Sequence, residues 1–127
     1  MPKLKETHRS ATVAWSPIAA NRNFICAGTV AGAIDDSFAA GATLEVLEVE
    51  YAAPGMDLAV RGTIECSERF NKLAWSKIGT DSQFPLGLVA GGMVDGRVNI
   101  WNPAALCKCD SPAFCASSRQ PPPVTHP

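Results

Sequence analysis

No stretch of these 127 residues approaches the roughly 18 consecutive apolar residues that a membrane-spanning helix requires, so direct membrane insertion drops out of the expected roles. Charge of one sign is lacking too. Eleven Lys and Arg stand against twelve Asp and Glu, a net of -1, which gives no electrostatic reason to expect nucleic acid or an anionic lipid surface as a partner. The opening, Met1 to Glu6, is charged and is not followed by the apolar core of a secretory signal, so the sequence is expected to stay in the cytosol with its five cysteines reduced. The glycine-rich stretches lack the Gly-Lys-Ser/Thr ending of a phosphate loop, and their glycines suit hairpin turns instead.

Side chains that carry chemistry are present but badly spaced for it. Cys107, Cys109, Cys115 and His126 are donors that zinc prefers, yet C-x-C-x5-C with a distant lone His matches no usual closed site, and no metal is expected. Asp35 and Asp36 are adjacent, so in a strand they point to opposite faces and in a loop they are solvated; neither arrangement makes an acid–base pair. His8 has no Ser or Cys placed nearby as a nucleophile, and Cys26 and Cys66 lie on or beside apolar strands as small core residues. No enzyme, catalytic residue or cofactor is expected.

What the sequence does hold is a run of short strands between Phe70 and Trp101. Leu73 and Trp75 share one face of a strand over Lys72 to Trp75, and Val98 and Ile100 share one face of another over Arg97 to Trp101. Leu86 to Gly91 between them is a nearly unbroken apolar run, as a strand covered on both faces requires. Asp95-Gly96 marks a tight hairpin, with Gly supplying positive φ and Asp bonding back to its own backbone.

Earlier in the chain, Ala11, Val13 and Trp15 alternate with Thr12, Ala14 and Ser16 until Pro17 removes a ladder donor. Phe24 to Ala27 is the next strand and ends at Gly28. Ala33 to Ala42 reads as a loop insertion. Leu44 to Val49 fits either a bulged strand or a short helix, with strand preferred; Ala59 to Glu65, interrupted at Gly62, is an outer strand. Ala14-Trp15-Ser16 recurs sixty residues on as Ala74-Trp75-Ser76, each followed by an apolar run and by glycines spaced Gly-x-x-x-Gly. The unit occurs twice.

A repeated four-stranded antiparallel unit whose third strand ends in Trp is the blade of a β-propeller. Each such sheet is apolar on both faces and needs a neighbour on either side. At roughly 40 to 45 residues per blade and 4 to 8 blades per ring, the expected fold is all-β: about two blades, 7–62 and 63–106, of an incomplete ring. A free-standing small β-sandwich is the alternative. The residues expected to build the blades are Trp15, Gly28, Trp75, Gly91, Asp95, Gly96 and Trp101. With sheet faces left open, the isolated chain is expected to aggregate or to be loosely packed.

Lys3-Leu4-Lys5-Glu6, Arg9-Ser10-Ala11, Ala14-Trp15-Ser16-Pro17, Gly28-Thr29, the Leu44-Glu45 strand, Phe70 to Trp75, and Ala90-Gly91-Gly92 with Asp95-Gly96 follow one another in order over residues 1–105. In that order and spacing they resemble the amino-terminal WD-repeat region of the Sec-thirty-one type subunit, the large outer-cage component of coat protein complex II (COPII). The resemblance implies a structural role in transport from the endoplasmic reticulum to the Golgi, peripheral at endoplasmic reticulum exit sites. The implied partners are a smaller WD-repeat outer-coat subunit and other coat subunits. A generic WD-repeat interaction scaffold is the alternative. Two departures from a generic WD repeat stand out: Asn102 rather than Asp follows Trp101, and no Gly-His pair precedes Phe70, leaving Asp95 without its customary partner.

Beyond Leu106 neither alternation nor repeat continues, as in a truncated product or an intron-derived tail, and residues 107–127 are expected to be disordered, rich as they are in Cys, Pro and Ser. Pro121, Pro122 and Pro123 suit a short polyproline II stretch, here read as solvated and without a partner.

Overall fold

The computed structural model describes residues 5–30, 42–78 and 84–108, and the backbone of 114–119. It holds two four-stranded antiparallel sheets, each a meander in which successive strands are neighbours. The first sheet comprises β1 (Ala11–Trp15), β2 (Phe24–Thr29), β3 (Ala42–Glu48) and β4 (Ala59–Cys66); the second comprises β5 (Phe70–Ser76), β6 (Leu88–Met93), β7 (Arg97–Trp101) and β8 (Phe114–Arg119). A short helix, α1 (Pro103–Lys108), separates β7 from β8 and packs against β4. The all-β reading with two open blades holds.

Local chemistry explains most boundaries. Each copy of the Trp-Ser pair ends its strand in the same way: Ser16 Oγ accepts a hydrogen bond from the Ile18 amide at 3.1 Å, and Ser76 Oγ accepts one from the Ile78 amide at 3.3 Å. Such side-chain bonds offer the backbone an alternative to the ladder. Leu86 lies outside β6 because Phe84 to Gly87 forms a turn with Pro85 at its second position, closed by the Gly87 amide on the Phe84 carbonyl at 2.9 Å. The hairpin between β6 and β7 spans three residues rather than two. The Gly96 amide bonds the Met93 carbonyl at 3.1 Å, and Gly96 takes φ of 87°, the pattern of a type I turn followed by a left-handed residue.

The Leu44 region is strand, and the irregularity expected near it sits on its partner. Val46 pairs with Gly62 and Leu47 with Val60, so Arg61 is the extra residue of a bulge in β4. Ala42, Leu44 and Val46 are buried on one face and Leu47 is buried on the other. The break between the sheets falls between Cys66 and Phe70, so Thr63 to Cys66 pair within the first sheet instead of opening the second.

The tail departs from its expectation in two places. Cys107 and Lys108 complete α1, which begins where Asn102 Oδ1 accepts the Ala104 amide at 3.1 Å with Pro103 at the first helical position. Phe114–Arg119 pairs antiparallel with β7, Arg97 opposite Arg119 and Ile100 opposite Ala116, and supplies the second sheet's fourth strand. The ladder of an otherwise open β7 edge satisfies backbone groups that composition alone leaves to solvent. The Asp35–Asp36 pair, Cys109, His126 and the proline triplet lie outside the described residues.

The core sits between the sheets. Cys26, Leu44 and Val46 of the first meet Phe70, Leu73, Val89, Met93 and Trp101 of the second, with Leu106 of α1 closing one side. A parallel bridge between Val30 and Phe70 ties the end of β2 to the start of β5.

Candidate interaction surface

Phe70 is the residue on which the two sheets lock. Its ring is fully buried and lies 5.5 Å from the Trp101 ring, tilted by 46°. A Cβ placed on Gly28 would stand 2.6 Å from this ring, and one placed on Gly91 would stand 2.6 Å from its other edge and 2.9 Å from Trp101. Two glycines, one from each sheet, thus form a slot that only a residue without a side chain leaves wide enough. Sequence reading singled out Gly28, Gly91 and Trp101, and the structure brings these three together. It missed Phe70 as the piece they enclose; the repeat carried no signal for it, since the registers match Gly28 to Gly92 and Gly91 to Ala27.

The other expected blade residues lie apart. Trp75 is half-buried and donates its Nε1–H to the Leu86 carbonyl at 2.6 Å. Trp15 is 55% exposed, on the face turned away from the core. Asp95 is partnered after all: its Oδ1 accepts the Arg97 amide at 3.0 Å and its Oδ2 lies 3.6 Å from Arg97 Nε.

The outward face of the first sheet carries a groove of about 730 Å³, lined by Thr7 to Ala11 along one wall and by Thr29, Thr43, Glu45, Thr63 and Arg69 elsewhere. Arg9 crosses it to Glu45, with Nε to Oε1 at 2.7 Å and a terminal nitrogen to Oε2 at 3.3 Å. This bond raises the Arg9 pKa, partly opposed by burial, so the guanidinium is fully charged but already committed. Partly exposed as it is, the pair contributes roughly 0.2 to 1 kcal/mol. His8 stands at the rim, 92% exposed and 3.8 Å from Glu6. Val13 and Trp15 continue the same face beyond the groove, so it is polar at one end and apolar at the other.

Reactive chemistry is weak among the described residues. Burial pushes the Cys26 thiol up to about 12 and the Cys66 thiol up to about 11, so both stay protonated at neutral pH, and a thiol rather than a thiolate is a poor nucleophile. The described His, Cys, Asp and Glu side chains form no group of three that could hold a metal ion. No described helix is long and apolar enough to cross a membrane.

Two four-stranded meanders stacked with like faces in the same sense are consecutive blades of a WD-repeat β-propeller in an open array. In sequence the chain is 46% identical over 107 residues to protein transport protein SEC31 homolog B of Arabidopsis thaliana, covering 84% of this chain and 9% of that protein. It is 34% identical to protein transport protein SEC31 of Dictyostelium discoideum (87% and 8%) and 37% identical to protein transport protein Sec31B of Mus musculus (79% and 9%). The chain belongs to the Sec31 type, as its amino-terminal WD-repeat region, and spans about a tenth of the length of these relatives or less. No protein-family model matches it. Among solved structures, Sqt1 from Chaetomium thermophilum superposes with a TM-score of 0.52 at 20% identity, over 87% of this chain and 24% of that one, a likeness of fold.

Proposed function

We propose that the chain is a structural, non-enzymatic part of the COPII vesicle coat, acting in transport from the endoplasmic reticulum to the Golgi through protein–protein contacts of its WD-repeat blades. The observation that carries this reading is the likeness to Sec31-type transport proteins over more than four-fifths of the chain. Its place is peripheral, at endoplasmic reticulum exit sites in the outer cage, and its partners are the smaller WD-repeat outer-coat subunit and other coat subunits. Contacts would come from the blade faces and the groove beside Arg9, which offer hydrogen-bonding and apolar area side by side.

The test is the distribution of the tagged full chain in cells, beside capture of the smaller outer-coat subunit on it. Concentration at exit sites together with capture of that subunit is the expected result. A folded chain that spreads evenly and captures no coat subunit would overturn the coat role and leave a general WD-repeat interaction scaffold.

A further inference from the structure

The residues ahead of β1 fold back onto the first sheet. The Ser10 carbonyl accepts the Val30 amide at 3.1 Å, and Arg9 bonds Glu45 of β3. The Glu6 amide donates to the Met56 carbonyl at 2.6 Å, and Lys5 Nζ donates to the carbonyls of Ala53 and Gly55 at 2.9 and 2.8 Å. Residues 5–10 are thus fastened in turn to the end of β2, to β3 and to the connection between β3 and β4. The Lys5 bonds join residues 48 and 50 apart in sequence, so they tie the segment across the fold rather than to its own neighbours.

The connection between β3 and β4 receives the ammonium on its backbone. The Ala53 amide closes a turn on the Glu50 carbonyl at 3.2 Å, and Gly55 takes φ of 90°, a conformation that glycine adopts without strain. Tyr51 is 64% exposed and Met56 44%, so these side chains give the connection little burial to hold it in place. An ammonium has three donors and no acceptor, and bonds from a charged donor are stronger than neutral ones. Lys5 is therefore well suited to hold the connection and the segment together.

Burial on the face beneath them is uneven. Cys26, Leu44 and Val46 face the second sheet, so Ala27, Glu45 and Leu47 lie on the face turned away from it. No third sheet covers that face among the described residues. Ala27 is nonetheless 3% exposed and Leu47 2%, whereas Val13 and Trp15 on the same face are both 55% exposed. We propose that residues 5–10 are a strap that closes the Ala27 and Leu47 part of this face, with Lys5 as its catch. The strap shields apolar side chains that the sheet alone leaves open, and any surface that seats there has first to lift it.

Amide hydrogen exchange on the full chain compares the natural protein with Lys5→Ala and Lys5→Arg. Lys5→Ala is expected to speed exchange of the Glu6 amide about tenfold or more while the β2–β3 ladder amides keep their rates, and Lys5→Arg, which retains a charged donor, to stay within about threefold of the natural chain. Coverage is read from Leu47→Cys by maleimide labelling, with position 47 located by mass spectrometry. Labelling there is expected to be about tenfold faster when Lys5→Ala is added. Equal Glu6 exchange in the natural chain and Lys5→Ala overturns the catch, as does Lys5→Arg exchanging as fast as Lys5→Ala. Equal labelling of position 47 with and without Lys5 overturns the cover. Should Leu47→Cys fail to fold, the Glu6 exchange rates decide alone.

Discussion

Leu44 and Val98 hold the same place in their respective sheets, yet Leu44 is fully buried and Val98 is 45% exposed. The opposite faces show the reverse: Leu73 is 4% exposed in the second sheet, whereas its counterpart Val13 in the first is 55% exposed. Apolar residues stand at all four positions. At these positions what decides burial is therefore the neighbouring sheet and not the local pattern. The single interface present buries one face from each; the second sheet's other face presents Ala90, Val98 and Ile100, whereas the first sheet's is mixed, with Val13 and Trp15 beside the polar groove and Leu47 still buried.

The largest effect should come from removing the piece at the centre of that interface. Phe70→Ala is expected to cost about 3 to 5 kcal/mol in urea unfolding, as for a fully buried aromatic residue. A cost below about 1 kcal/mol would mean that the sheets do not rely on each other. Next comes pH. The Cys26 thiol is pushed up from 9.0 to about 12 by burial, so the folded state keeps a proton that the unfolded chain loses first. The resulting stability is complete below pH 9 and is lost as pH rises through 12, at about 1.4 kcal/mol per unit from this thiol between those values. The Cys66 thiol, raised to about 11, adds a slope of the same sign. Unfolding curves from pH 8 to 10.5 should show the decline in the natural chain and a flatter one in Cys26→Ala; equal slopes would contradict the burial of Cys26.

A smaller effect separates the two tryptophans. Trp75→Ala should cost about 2 kcal/mol, less than a fully buried tryptophan because the ring is half-exposed, while Trp15→Ala should cost under about 1 kcal/mol. Equal costs would erase the distinction between the covered and the open face. Intrinsic fluorescence gives the same contrast without unfolding, since quenching by a soluble quencher should act on Trp15 before Trp75.

The repeat and the strands were legible because period-two alternation, the duplicated Ala-Trp-Ser triplet and the turn residues are local signals. Face assignment was not. Alternation says which residues share a face and cannot say which face finds a neighbour: Val98 and Ile100 share a face of β7 as read, yet it is Trp101 on the other face that is buried against the first sheet. The Asn102-Pro103 pair is a helix start that reading for repeats passed over, having registered Asn102 only as a missing Asp. Pairing of Phe114–Arg119 with β7 is a long-range ladder that a Cys- and Ser-rich composition does not announce. Of the seam between the sheets, the glycines and Trp101 were readable, whereas the Arg9–Glu45 crossing joins residues 36 apart in sequence.

The central claim is that Phe70 of the second sheet fills the space left by Gly28 of the first, and a double-mutant cycle measures that directly. Gly28→Ala alone should cost about 1 to 3 kcal/mol, because its new methyl group would lie 2.6 Å from the Phe70 ring. In a Phe70→Ala background the same substitution should cost nearly nothing, giving a coupling about as large as the single cost. If Gly28→Ala costs the same with and without the ring, the two sheets are not locked there and the account is wrong.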